Sequence, residues 1–253
     1  MDYIIGIDVG TTSTKALLYD TDGKIYAKAN KGYTLYQDTP DMAEEDPDEI
    51  FNATLSAMQE VVSKSDLDGK VVAISWSAQQ HSLIALDENH KPLMRTMTWA
   101  DNRAERYAAK YKQNGRGLEF YKRTGLPILP MGPFYKLLWL KNEKPDLFKK
   151  AAYWVGIKEY IIWRYTGVLK EEVSMAAATG LLNMKSGQWD DEALKETGVK
   201  PSQLPELVDT TDKFQGIHPE YAKVMGVDED VYFVMGATAG ALSTSGVGAS
   251  ATG

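Results

Sequence analysis

Asp8, Gly10, Thr11, Thr12, Ser13 and Lys15 crowd into one short run near the amino terminus, Ile5-Gly-Ile-Asp-Val-Gly-Thr-Thr-Ser-Thr-Lys15. Each residue type suits a phosphate group. Gly10 carries no Cβ, so the backbone can turn tightly there and come close to a ligand. Thr11, Thr12 and Ser13 line the turn with hydroxyls and backbone N–H groups, which are good phosphate donors. Asp8 closes an apolar stretch and offers carboxylate oxygen to a hard Mg²⁺ ion, held through water. Lys15 adds positive charge where a phosphoryl group would transfer. The other reading of the run is a Thr-rich turn whose Asp caps backbone groups.

A β-meander is what would position these groups. Residues 3–8 form an apolar run, 14–19 mix β-branched and apolar side chains, and Asp20-Thr-Asp-Gly23 is a turn signal before a third strand over 24–29. A P-loop differs, because its strand feeds a helix. The first helix is announced by Asp46 as cap, Pro47 at the first helical position and Glu49 where a capping box takes a carboxylate. Phe51, Leu55, Met58 and Val62 then recur at helical spacing and predict one buried stripe. A strand follows over 70–77. Residues 82–86 and 96–99 flank the polar stretch 87–91 and predict a hairpin. Helices are expected over 101–111, 133–142 and 158–165, the last stopped by Thr166-Gly167. A meander followed by strands and helices predicts an α/β fold, a mixed sheet flanked by helices rather than strict βαβ alternation.

The 253 residues are 43% hydrophobic, enough for a sizeable core. There is no cysteine, which excludes disulfides and thiolate catalysis and makes a reducing cytoplasm the expected compartment. The net charge of −7 argues against a nucleic-acid surface. No stretch approaches the roughly 18 apolar residues of a membrane span, and the opening Met-Asp-Tyr-Ile-Ile-Gly lacks the layout of a signal peptide. The three histidines, His81, His90 and His218, are not at metal-ligand spacing. His90, in a turn signal, and His218, before Pro219, are expected at the surface.

The run around Asp8 and Lys15 resembles the first phosphate motif of the actin, sugar-kinase and chaperone ATPase superfamily. Within it, Met131-Gly-Pro-Phe-Tyr-Lys-Leu-Leu-Trp-Leu-Lys-Asn-Glu143 resembles the amino-terminal signature of the FGGY carbohydrate kinases, through Met131, Pro133, Lys136, Leu137, Trp139, Leu140, Asn142 and Glu143. Read physically, most of that signature is a core-facing helix. Trp76-Ser-Ala-Gln79-Gln80-His81 is similar to the family's substrate loop, and Gln80 departs from the Met common there. The resemblance implies that Gln79, Gln80 and His81 hydrogen-bond sugar hydroxyls, since amides and imidazoles supply donors and acceptors together. Thr98-Trp99-Ala-Asp101-Asn-Arg103 is similar to the family's W-x-D-x-R. There Trp99 would present a flat face to sugar C–H groups, while Asp101 and Arg103 would bind hydroxyls, or pair with each other. Asp101 as a helix cap is the alternative. Ser174 to Gly180 and Trp189 resemble the stretch completing the domain.

What this resemblance implies is an actin-like (ribonuclease H-like) domain using ATP and Mg²⁺ on a sugar or sugar acid, with gluconokinases nearest in motif and xylulokinases next. Residues 1–235 would form the amino-terminal, sugar-binding domain. The segment 236–253, made only of Ala, Gly, Ser and Thr apart from Leu242 and Val247, would be a linker or the cut-short start of the second, ATP-binding domain. Two departures follow. Ala239 falls where the family places its catalytic Asp, and the second domain is not in the sequence. An exposed interdomain face would then favour self-association or an ATP-binding half as partner. A non-catalytic sugar-binding or regulatory module and an actin-type or chaperone-type ATPase are the competing readings.

Overall fold

A computed structural model of the chain describes residues 1–246. The meander forms as β1 (Asp2–Val9), β2 (Ser13–Asp20) and β3 (Ile25–Gly32). Alternation along these strands does the sorting. Tyr3, Ile5, Ile7 and Val9 of β1 and Thr14, Ala16, Leu18 and Asp20 of β2 are buried, while Asp8 and Lys15 fall on the opposite side of the sheet.

Helix α1 (Pro47–Ser63) starts as expected, with the Asp46 carboxylate accepting from the Asp48 and Glu49 backbone N–H groups. Glu49 does not complete a capping box. It accepts instead from the Tyr36 hydroxyl at 2.7 Å and the Thr34 N–H at 3.2 Å. The buried face of α1 is also broader than the expected stripe. Ile50, Phe51, Thr54, Ala57, Met58 and Val61 carry it, with Leu55 and Val62 half-buried at its border.

Strand β4 (Lys70–Ala78) then runs parallel to β1. Helices α2 (Pro133–Glu143) and α3 (Ile157–Thr166) follow, and Gly167 stops α3 in the left-handed conformation. The chain ends its described part with β5 (Lys213–Gln215), α4 (Pro219–Met225), β6 (Tyr232–Thr238) and α5 (Ala239–Gly246). The main sheet has the order β5-β6-β4-β1-β2-β3, antiparallel within the meander and at the β5–β6 edge and parallel between. Residues 236–238, expected to open a linker or second domain, finish β6 inside this sheet, and 247–253 of that segment lie outside the described residues.

The hairpin expected from 82–86 and 96–99 forms only as isolated bridges, Leu83 with Met97 and Leu86 with Pro92. Ile84–Leu86 pairs instead with Tyr153–Val155, and Thr96–Met97 with Glu44–Glu45. These partners are remote in sequence and satisfy the backbone groups that a local ladder would have used. The short strand is a partition. Ile84 and Leu86 pack into the core between sheet, α1 and α3, whereas Leu83 and Ala85 face a second core around Phe134, Leu137 and Trp154. The helix expected from Asp101 begins at Glu105 and has no side-chain cap. His90 is half-buried, stacked between Tyr153 and Trp163 at centroid distances of 4.4 and 4.6 Å, and His218 is exposed. Among the described residues no helix is long and apolar enough to cross a membrane.

Candidate active site

Antiparallel register sets Asp8 opposite Lys15, and parallel register sets Asp8 beside Ser77. Residues in register project from the same side of a sheet, so carboxylate, ammonium and hydroxyl share one half-open face. Ser77 Oγ donates to Asp8 Oδ1 at 3.3 Å, and Lys15 is exposed. The Gly10 N–H donates to the Ser13 carbonyl at 3.1 Å and closes the turn. A Cβ on Gly10 would lie 3.1 Å from that same oxygen, and its φ is not positive, so close approach is what asks for glycine here. The Gly10 carbonyl accepts from the Tyr33 hydroxyl and from Gln79 Nε2. Braced from beneath, the turn leaves Thr12 exposed and Ser13 half-buried at its tip. Trp99 Nε1 donates to Thr11 Oγ1 at 2.8 Å, which joins the turn to the W-x-D-x-R loop.

The Gln79 backbone N–H donates to the Val9 carbonyl at 2.8 Å, so the loop after β4 leaves the sheet at the same end as the phosphate turn. Gln80 is half-exposed and lines an open cleft with Ser174, Thr238, Gly240 and Ala241. His81 has φ of 65°, uncommon for a residue with a Cβ. Its Nδ1 lies 2.8 Å from the Ala178 carbonyl oxygen. A carbonyl only accepts, so Nδ1 carries the proton and Nε2 remains an acceptor. Burial pulls the imidazole below its ordinary pKa, the Ala178 bond opposes this, and the nearby Lys136 charge adds to it. The ring lines a cavity of about 20 Å³ with Ser82, Glu159, Glu171 and Thr179, room for about one water. Burial pushes Glu159 up to about 7, and Glu171 is raised by burial and by Glu159 beside it.

Three residues expected on the sugar face inward. Gln79 is 6% exposed, and its amide nitrogen donates to Glu45 at 2.7 Å as well as to the turn. Asp101 is wholly buried, accepting from the Ala43 N–H at 3.1 Å and from Arg103 Nε at 3.0 Å and a terminal guanidinium nitrogen at 2.7 Å. Arg103 also reaches Glu44 at 2.5 Å and lies over the Trp139 ring at 4.7 Å. Of the two roles open to Asp101 and Arg103, the ion pair is the one formed, and a guanidinium held by two carboxylates has no free fork for a third. Trp99 remains 45% exposed and available to a ligand.

Two buried networks that sequence reasoning missed set the floor of the site. Burial pushes Glu45 up to about 8 against the opposing Gln79 donor, and Glu45 Oε1 and Gln79 Oε1 find no partner among the described residues. Lys158 and Glu172, neither of them exposed, pair at 2.7 Å. Glu172 caps the helix Val173–Ala177, and the Ser174 hydroxyl that it accepts from receives the Thr238 N–H at 3.0 Å. This chain of bonds fixes the point where β6 becomes α5, which is Ala239. Gly236 is required just before it, since φ is 66° and a Cβ would stand 1.8 Å from the Trp76 carbonyl oxygen. Lys136, inside the otherwise apolar Pro-Phe-Tyr-Lys-Leu-Leu-Trp-Leu, is also fully buried. The lone cation in that run was the available signal.

Among the described residues no cluster of three or more metal-ligating side chains forms. Asp8 stands beside the Thr11–Ser13 turn, and a single carboxylate suits an ion carried mainly by phosphate oxygens and water.

Residues 3–246 match the N-terminal domain of the FGGY family of carbohydrate kinases. The chain belongs to that family. It is 45% identical to a gluconokinase of Bacillus subtilis over 98% of its own length and 48% of the relative's. A xylulose kinase of the same organism is 31% identical over 98% of this chain and 50% of the relative. Crystal structures described as ligand-bound xylulose kinase and as gluconate kinase, both from Lactobacillus acidophilus, superpose with TM-scores of 0.96 at 47% identity, over 98% of this chain and 50% of theirs. The fold is therefore the actin-like one of these kinases, and the chain spans about half the length of the relatives it matches.

Proposed function

We propose that this chain is the sugar-binding half of an ATP-dependent kinase acting on a hydroxyl of gluconate, with xylulose the next candidate. The observation that carries the reading is the Trp99–Thr11 bond, which ties the exposed indole of the W-x-D-x-R loop to the Thr-rich turn beside Asp8 and Lys15. The backbone of Thr11 to Ser13 and the Lys15 ammonium would hold the ATP phosphates. Asp8, its carboxylate fixed by Ser77, would meet Mg²⁺ through water, and Mg²⁺ when bound neutralises charge on the transferring phosphoryl group. Gln80 and His81 Nε2 would hydrogen-bond the polyol, with Trp99 against its C–H face. The 45% identity to a gluconokinase supports gluconate first, and the absence of cysteine supports a cytoplasmic setting.

Ala239 cannot take a proton, and general-base help is worth roughly 10²–10⁴ in rate. We therefore expect sugar binding without turnover by these 253 residues. A thermal-shift panel of gluconate, xylulose, ribulose and glycerol tests the reading, because a ligand that binds only the folded state raises its stability. Gluconate should give the largest rise, and no rise with any of the four would overturn the proposal. A coupled assay showing ADP release above a no-protein blank would overturn the absence of turnover. The same Ala239 favours a second reading, a non-catalytic sugar-binding module. Gluconate binding without turnover after an ATP-binding half is supplied would select it.

A further inference from the structure

Lys136 belongs to α2, whose first residue Pro133 lines the cavity beside His81, and its side chain reaches two loops of the site. Its Nζ donates to the His81 carbonyl at 2.7 Å, to the Thr98 carbonyl at 2.6 Å and, more weakly, to the Met97 carbonyl at 3.4 Å. An ammonium has three donors, and here all three go to backbone oxygens of two separate loops. His81 ends one of those bonds while held in the left-handed region, a conformation that persists only where the surroundings over-determine it. Thr98 immediately precedes Trp99, the residue that reaches Thr11. The two loops share little else. Backbone to backbone they meet at the Leu83–Met97 bridge, where each N–H donates to the other's carbonyl at 3.0 Å.

We propose that Lys136 is the positioning residue of the sugar site, a buried cation that clamps the His81 loop to the Trp99 loop and so sets the distance between the imidazole and the indole. The inference rests on the sugar-kinase reading of the site. A helix whose only task was packing would place an apolar side chain at this fully buried position, since a desolvated ammonium is costly unless its donors are met. Burial pulls the Lys136 ammonium down to about 7, while of the charged groups around it Asp101 of the W-x-D-x-R loop favours the ammonium and Arg103 opposes it. Asp101 is already engaged by Arg103 and Ala43, so no carboxylate bonds Nζ directly. The clamp is thus made to backbone, which fixes loop position whatever side chains the loops carry.

The test uses Lys136→Met, which keeps the length and removes the donors, and Lys136→Cys. The chain has no cysteine, so 2-bromoethylamine on the unfolded Lys136→Cys protein alkylates that thiolate alone, bromide leaving, and installs a lysine-like ammonium before refolding. Gluconate affinity by calorimetry should fall at least tenfold in both variants and return to within about threefold of the parent on aminoethylation. Amide exchange without sugar should quicken together at Ser82–Leu83 and at Met97–Trp99, while β1 and β2 keep their protection. Unchanged gluconate affinity in folded Lys136→Met, or faster exchange confined to α2, would overturn the clamp. If the parent binds none of the four polyols, the sugar-kinase reading fails on its own, and the paired exchange still decides whether Lys136 joins the loops.

Discussion

Between Val9 and Ser13 the chain reverses within a single hairpin, and every group proposed to face a phosphate comes from that hairpin or from the strand beside it. The loops carrying His81 and Trp99 are the opposite case. They are held by Lys136 from one helix, by Ala43 through Asp101, and by Glu44 through Arg103. The first region keeps its charges at the surface, where they are ready for a ligand and matter little to folding. The second buries its charges, so the same side chains that shape the site also hold the molecule together. Chemistry-bearing residue types therefore carry different information in the two places: in the turn they mark a site, and behind the loops they mark its scaffold.

Breaking the Lys158–Glu172 pair should show the largest effect of that difference. Both side chains are unexposed, and removing one partner of such a pair costs about 3–5 kcal/mol. Lys158→Met is expected to lose that much in urea denaturation, and a loss under 1 kcal/mol would mean that the network at Ala239 is dispensable. Asp101→Ala comes next. Stripped of the Asp101 carboxylate, Arg103 keeps Glu44 and the Trp139 ring face, and the charged hydrogen bonds lost are worth about 1.5–3 kcal/mol. The same variant should weaken gluconate binding indirectly, which a shift in loop amide exchange would reveal.

Glu45→Gln sharpens the contrast through pH. The buried acid titrates at about 8 when folded, well above its ordinary range near 4.3. Its stabilising influence is complete below the unfolded value and is lost as pH rises toward 8. A Gln cannot ionise, so the variant should match its parent at pH 4 and melt roughly 3 °C or more above it at pH 8. Equal melting at both values would place the Glu45 proton elsewhere. Lys15→Ala is the smallest change expected in stability, within about 0.5 kcal/mol because the side chain is exposed. It should nonetheless weaken nucleotide triphosphate binding in a protein supplied with an ATP-binding half. If Lys15→Ala destabilised more than Asp101→Ala, the division between surface site and buried scaffold would be wrong.

The elements whose signals are local were legible. The turn after β1, the Asp46–Pro47 start of α1, the Gly167 stop of α3 and the core-facing helix at Pro133 each depend on residues a few positions apart. The role of Glu49 was not legible, since its partners Tyr36 and Thr34 lie outside its helix.

Sequence by itself determined the meander, the start of α1, the stop of α3, the family and the glycine turn after β1, because hydrophobic alternation, caps and glycine turns act within one or two turns of chain. Tertiary structure alone decided which carboxylates face the cleft and which face the core. Asp101 meets Ala43 across 58 residues and Lys136 meets His81 across 55, and nothing in the local pattern of either segment encodes the other. A buried charge must find its partners in three dimensions, and only the folded packing shows that it has.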